Sequence, residues 1–154
     1  VIFLPWLISF IVSWILFLIS VDYKRIKSNI IAGLLALAMA SIVDWGGQHL
    51  GLYTFRDLII PWFGCSAFYK FGPVLTMGAL YAQSVPEKKW MQAANIGVFS
   101  FAFLALEMAI IRTGVAEHLH WHPLGSLFVN ILAFGTLTWF TKTFLRSHRG
   151  LAIK

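Results

Sequence analysis

Five apolar runs, separated by short polar connections, constrain this chain more than any other feature. A helix needs about 20 apolar residues to cross the hydrocarbon core of a bilayer at 1.5 Å rise per residue. The runs fall at about 1–21, 29–50, 58–83, 91–113 and 124–145. The expected fold is therefore an all-α integral membrane bundle of five transmembrane helices, a single domain over 1–154. The composition argues against a soluble alternative: 59% of the residues are hydrophobic and 12% charged, and the mean hydropathy is +0.79. A soluble domain of this length has too little interior to hide so much apolar surface. The first run has no ionisable residue, no basic leader and no small-residue cleavage site, so it reads as a retained span and not as a signal peptide.

Charge sets the orientation. Nine of the 12 Lys and Arg residues fall in loop 22–28, in loop 84–90, or at the end of the fifth run and its tail. Arg56 and Arg112 fall on the other side, and Lys70 lies within a run. Positively charged loops stay cytoplasmic, which places the N-terminus outside and the C-terminus in the cytoplasm of a multi-pass inner-membrane protein. Basic clusters between apolar runs are topology signals, not a nucleic-acid face, so no nucleic-acid partner is expected. The bilayer is the first partner. Small residues spaced by four, at Ala32, Ala36 and Ala40 in the second run, suit close helix contact. So do Gly97, Phe101, Ala105 and Ala109 in the fourth, and a homo-oligomer or a partner membrane subunit follows as an expectation. Cys65, the one cysteine, reads as a small packing residue.

Ionisable and amide side chains within apolar runs are the candidates for function, because placing them in a bilayer is costly. Asp44 and Gln48 end the second run, Lys70 lies near the middle of the third, Glu107 lies in the fourth and Asn130 in the fifth. Asp44, Glu107 and Asn130 each lie about 9 Å below the outer end of their helix. Four runs thus offer polar groups to the outer half of one bundle, and an outward-facing polar cavity is expected there. In it Lys70 is compensated by Glu107 or Asp44, because an unpaired buried charge is far costlier than a hydrogen-bonded pair. Pro61, Gly64, Gly72 and Pro73 predict a kink or a break near Lys70.

The connection after the fourth run carries His118, His120 and His122. In an extended strand these three share one face, as a three-histidine site for zinc or another divalent metal requires; in a helix only the first and last do. Glu117 and His49 could add ligands. The competing readings are a pH-sensitive or ligand-contacting loop and a plain interfacial anchor with Trp121 and Pro123. No GxSxG elbow, HExxH pair, phosphate-binding loop or dinucleotide fingerprint is present.

The segments DWGGQHLGLYTF, FYKFGPVLTMGALY and LEMAIIRTGVAEHLHW resemble a family of small, largely uncharacterised five-span membrane proteins of spore-forming bacteria, known mainly by a clostridial locus name. The resemblance covers roughly residues 29–135, and Asp44, Gly51, Pro73, Glu107 and Trp121 match the family pattern. Lys70 and the three histidines lie outside it. What the resemblance implies is the five-span architecture and an intramembrane acidic site, not an activity. Three functional readings follow. The first is a membrane protein that binds or transports a small molecule or ion, alone or as a subunit of a larger membrane complex. The second is a membrane-embedded enzyme acting on a lipid-like substrate through Glu107 and the histidines. The third is a structural subunit whose ion pair only locks helices together.

Overall fold

The computed structural model describes residues 4–146 as a bundle of five helical rods. Helix α1 is Leu4–Ser20, and α2 is Ile26–His49 with a 3-10 turn at Tyr23–Arg25 leading into it. The third rod starts as α3 (Ala67–Tyr69), passes through a π-helical turn at Lys70–Val74 and continues as α4 (Leu75–Ser84). Helix α5 is Lys89–Arg112, and α6 is Pro123–Phe140, ending in a second π turn at Thr141–Leu145. Two short antiparallel pairs complete the chain. Strand β1 (Tyr53–Phe55) pairs with β4 (Ala116–His118) in the register Tyr53 to His118, and β2 (Pro61–Trp62) pairs with β3 (Cys65–Ser66).

Successive rods alternate in direction: the connections 50–66 and 113–122 meet in the β1–β4 pair at one end, and Gln83 and Arg146 reach the connections 21–25 and 85–88 at the other. One end of the bundle carries both strand pairs. The other gathers Lys24, Arg25, Lys88, Lys89 and Arg146 in its connections. Gln83 joins three rods at that basic end: its Nε2 donates to Ser20 O at 2.8 Å, and its Oε1 accepts from Asp22 N at 2.8 Å and Asn29 Nδ2 at 3.0 Å. Arg146 donates to Glu87 at 2.6 Å and to Val85 O at 2.5 Å, tying the end of α6 to the loop before α5.

Among the described residues three segments are long and apolar enough to cross a membrane: Tyr23–His49, Lys89–Arg112 and Pro123–Leu145. The protein is an all-α bundle of a kind suited to a membrane, with Ile19, Val98 and Trp139 among the large apolar side chains on its outer faces. Two of the five expected spans are shorter than the sequence suggested. Helix α1 is 17 residues over its described part, and Val1, Ile2 and Phe3 lie outside the described residues. The third run is helical only from Ala67. Residues 58–66 turn back as the β2–β3 hairpin because Pro61 has no N–H for a helix, and Phe63 (φ 46) and Gly64 (φ 82) take left-handed backbone at the turn.

The α2–α4 contact is the closest in the bundle, and glycine makes it possible. A Cβ on Gly33 would stand 2.5 Å from Leu75 O, and one on Gly78 would stand 2.6 Å from Ala36 Cβ. The Ala32–Ala36 face of the second run therefore packs inside the chain. On α5 the small-residue face at Gly97, Phe101, Ala105 and Ala109 points away from the bundle, with Phe101 61% exposed, while the stripe of Ser100, Phe103, Glu107 and Ile110 faces inward.

Proline accounts for the break near Lys70. Pro73 supplies no backbone donor, and the chain widens into a π turn around it. Phe71 O accepts instead from the Trp14 indole at 3.0 Å, and Thr76 Oγ1 donates to Gly72 O at 2.8 Å. Gly72 lets α1 approach this turn, since a Cβ there would lie 2.8 Å from Phe10 Cα.

Candidate functional site

The polar residues of the outer half meet at a cavity of about 150 Å³ between α2, α4, α5 and α6, covered at its outer end by the β1–β4 pair. Asp44, Lys70, Glu107 and Asn130 all line it, so four of the five residues expected to bind a ligand converge there. The expectation of a polar cavity needs correction. Most of the wall is carbon, from residues such as Trp6, Met39, Met77, Phe103 and Leu137, and the polar groups form a cluster at one end.

Lys70 is fully buried, and its Nζ forms an ion pair with Asp44 Oδ2. The sequence left Asp44 and Glu107 open as its partner; the fold selects Asp44. The Lys70 side chain is 0% exposed and that of Asp44 16%. Tyr53 Oη shares its one proton between Asp44 Oδ1 and Val43 O, each at 3.1 Å, so both carboxylate oxygens have partners. Burial, with the Asp44 charge beside it, pushes the Tyr53 hydroxyl well above its ordinary range and keeps it a donor.

Glu107 has a different set of partners. Its Oε1 accepts from His118 Nε2 at 2.8 Å and from Ser126 Oγ at 2.6 Å. An ionised carboxylate can only accept, so Nε2 carries the proton. Trp121 Nε1 donates in turn to Ser126 Oγ at 2.8 Å. The order of these bonds matters chemically: serine and imidazole both end on the carboxylate, so the hydroxyl is not bonded to the histidine and a serine–histidine–acid relay is not formed.

Gln48 does not reach the cavity. Its Nε2 donates to Gly64 O at 2.7 Å and holds the β2–β3 turn against α2. Asn130 lines the wall and donates through Nδ2 to Ser100 O at 3.4 Å. Arg56 and Glu117 pair at 2.5 Å across the outer strands, both half exposed.

The three histidines go to three different places. His118 lies in β4 and turns inward to Glu107. Beyond it the strand ends, because Leu119 N and His120 N both donate to Leu52 O at 2.9 Å and bend the chain. His120 Nδ1 contacts Gly51 O at 3.2 Å, and His122 caps α6, its Nδ1 accepting from Leu124 N at 3.1 Å. The face that His118, His120 and His122 would share in an extended loop does not form. Among the described residues no three His, Cys, Asp or Glu side chains are grouped as zinc or another divalent metal requires. His49 stacks against Trp45, with ring centroids 4.6 Å apart, and does not join them.

Tyr53, Ser126 and Trp121 enter the site without having been predicted as site residues. The signal for Tyr53 and Trp121 was their place beside turns at the outer end. Ser126, a lone hydroxyl one turn into a helix, carried none. Comparison with protein-family models, with curated proteins and with solved structures finds no match to this chain.

Proposed function

We propose that this protein crosses the inner membrane five times, with its N-terminus outside, and binds a small molecule or ion in the cavity beneath the β1–β4 pair. The observation that carries the reading is the convergence at one cavity of a buried Lys70–Asp44 pair and a separately bonded Glu107, from three different rods. Helix locking accounts for the first; Glu107 also ties α5 to α6 and β4, but no Lys or Arg among the described residues pairs with it where it borders the same space. The alternation of the rods, with the basic connections gathered at one end, supports the orientation. Membership of the five-span family of spore-forming bacteria and association with a second copy or a partner membrane subunit belong to the same proposal.

An enzymatic reading has one observation in its favour, the 2.8 Å contact of His118 with Glu107 beside the cavity, a geometry suited to proton transfer. Native mass spectrometry of the protein in mild detergent, with elemental analysis of the same sample, tests these readings. A retained small molecule that is lost in Glu107→Gln supports binding. Purified protein without any retained or added ligand, and a Glu107→Gln variant altered only in stability, would return the site to helix locking. Turnover of a lipid-like substrate that stops with Glu107→Gln would favour the enzyme.

A further inference from the structure

Size, wall and charge together narrow the ligand, on the reading that the cavity is a binding site. A cavity of about 150 Å³ accommodates a molecule the size of benzene, roughly six to eight heavy atoms. The outer part of this one is walled by rings: Trp6 and Tyr69 lie 5.7 Å apart edge to face, Tyr69 and Phe103 6.1 Å, and Tyr53 and Trp121 6.0 Å. Aromatic faces attract positive charge and tolerate apolar substituents around it.

The charges at the cavity select the sign. Lys70 is closed by Asp44, and Glu117 is closed by Arg56. That leaves Glu107, 23% exposed, whose Oε1 carries the bonds from His118 and Ser126. No Lys or Arg among the described residues pairs with it. Both of its bonds fall on Oε1, and among the described residues Oε2 accepts none, so the carboxylate keeps an oxygen to offer a ligand. An anion would meet Glu107 and Asp44 in a low dielectric and be repelled, and a neutral ligand would bring no charge to answer a carboxylate that no Lys or Arg pairs. We infer that the cavity takes a small organic cation, an ammonium with apolar substituents, its charge answered by Glu107 and its substituents held by Trp6, Tyr69, Phe103 and Trp121.

The test uses the full chain in detergent micelles and two probes of equal shape, 2-hydroxyethyl-trimethylammonium and its uncharged carbon isostere 3,3-dimethylbutan-1-ol, followed by tryptophan fluorescence and saturation-transfer NMR. The cation is expected to bind at least about tenfold more tightly than the isostere, and Glu107→Gln to remove that difference. Phe103→Leu keeps an apolar wall but removes a ring face. It is expected to weaken the cation by about threefold or more and leave the isostere within about twofold, which keeps the inference testable should Glu107→Gln fail to fold. Equal binding of the two probes, or a cation affinity indifferent to both variants, overturns the inference and leaves the small-molecule reading standing. Absence of binding by either probe up to about 10 mM overturns the inference, and the small-molecule reading then rests on the ligand retained in native mass spectrometry. The ammonium can belong to a solute or to a lipid headgroup. Displacement of the soluble probe by a choline-headgroup lipid, and not by a glycerol-headgroup lipid, assigns it to the lipid; no displacement by either assigns it to the solute.

Discussion

Replacing Lys70 with Met isolates the energetic role of the buried pair. Methionine nearly matches the lysine stem in volume, so packing changes little. What changes is that Asp44 loses its cation and keeps only the Tyr53 hydroxyl at 3.1 Å. Removing one partner of a buried pair costs about 3–5 kcal/mol, mostly through the uncompensated charge left behind. Asp44 is 16% exposed and borders the cavity, where water relieves part of that penalty, so Lys70→Met is placed near the lower end, about 3 kcal/mol. Asp44→Leu leaves the opposite orphan, an ammonium that is 0% exposed, and belongs at the upper end, about 5 kcal/mol. The double variant Lys70→Met/Asp44→Leu removes both charges and is expected within about 1 kcal/mol of the parent, or above it, because an apolar pair needs no desolvation. Reversible unfolding in mixed micelles, followed by far-UV circular dichroism, measures all four corners of the cycle. A loss of 3 kcal/mol changes the folding equilibrium more than about a hundredfold, well outside experimental scatter. Single variants that each cost less than about 1 kcal/mol, with an additive double variant, would refute the argument that the pair is buried and coupled.

Other perturbations test other parts of the fold. Gly78→Val drives side-chain atoms into Ala36 and Gly33 of α2 and is expected to cost about 1–3 kcal/mol, whereas Gly97→Ala, which meets nothing within 4 Å, should be neutral or stabilising; equal melting temperatures for the two would contradict the α2–α4 packing. Burial, reinforced by the Asp44 charge, pushes the Cys65 thiol up to about 12, so it stays protonated and shielded, and maleimide labelling near pH 8 should follow unfolding; rapid labelling of the native protein would show an open hairpin. The same shift means that the folded state retains a proton that the unfolded chain releases from about pH 9. Stability should therefore fall as pH rises from about 9 towards 12, and Cys65→Ala should flatten that slope. Because His118, His120 and His122 diverge, treatment with a chelator should leave the melting temperature unchanged, and a shift of several degrees would reveal a metal that the described side chains do not group to hold.

Hydropathy and charge made the bundle legible, because both report on which residues can face lipid and which cannot. The polar cluster was legible for a related reason. Charges within apolar runs must find each other, and the depths of Asp44, Lys70 and Glu107 brought them to one level. The choice of Asp44 for Lys70 was not legible, since it depends on how the π turn at Lys70–Val74 rotates the lysine toward α2. Residues 58–66 read as the start of a helix because apolar content does not distinguish an apolar hairpin from a span; what separates them is Pro61 and the left-handed turn that Gln48 fastens. The histidines misled through their alternation, which has meaning only while the strand continues. Two amides donating to the one carbonyl of Leu52 end it at His118.

The outer strand pair also bears on how the protein is made. Asp44 precedes Lys70 by 26 residues, so during vectorial synthesis the carboxylate is already in place when the lysine-bearing rod arrives, and that pair can close early. Across the β1–β4 ladder, Arg56 and Glu117 are 61 residues apart, and this brace must wait for two more rods to be laid down. Glu107 arrives in that interval, and Trp121 and Ser126 follow it. The recess that gathers the polar cluster is therefore the last part of the molecule to come into being, and an error in laying down the fourth or fifth rod leaves it unformed while the earlier ion pair survives.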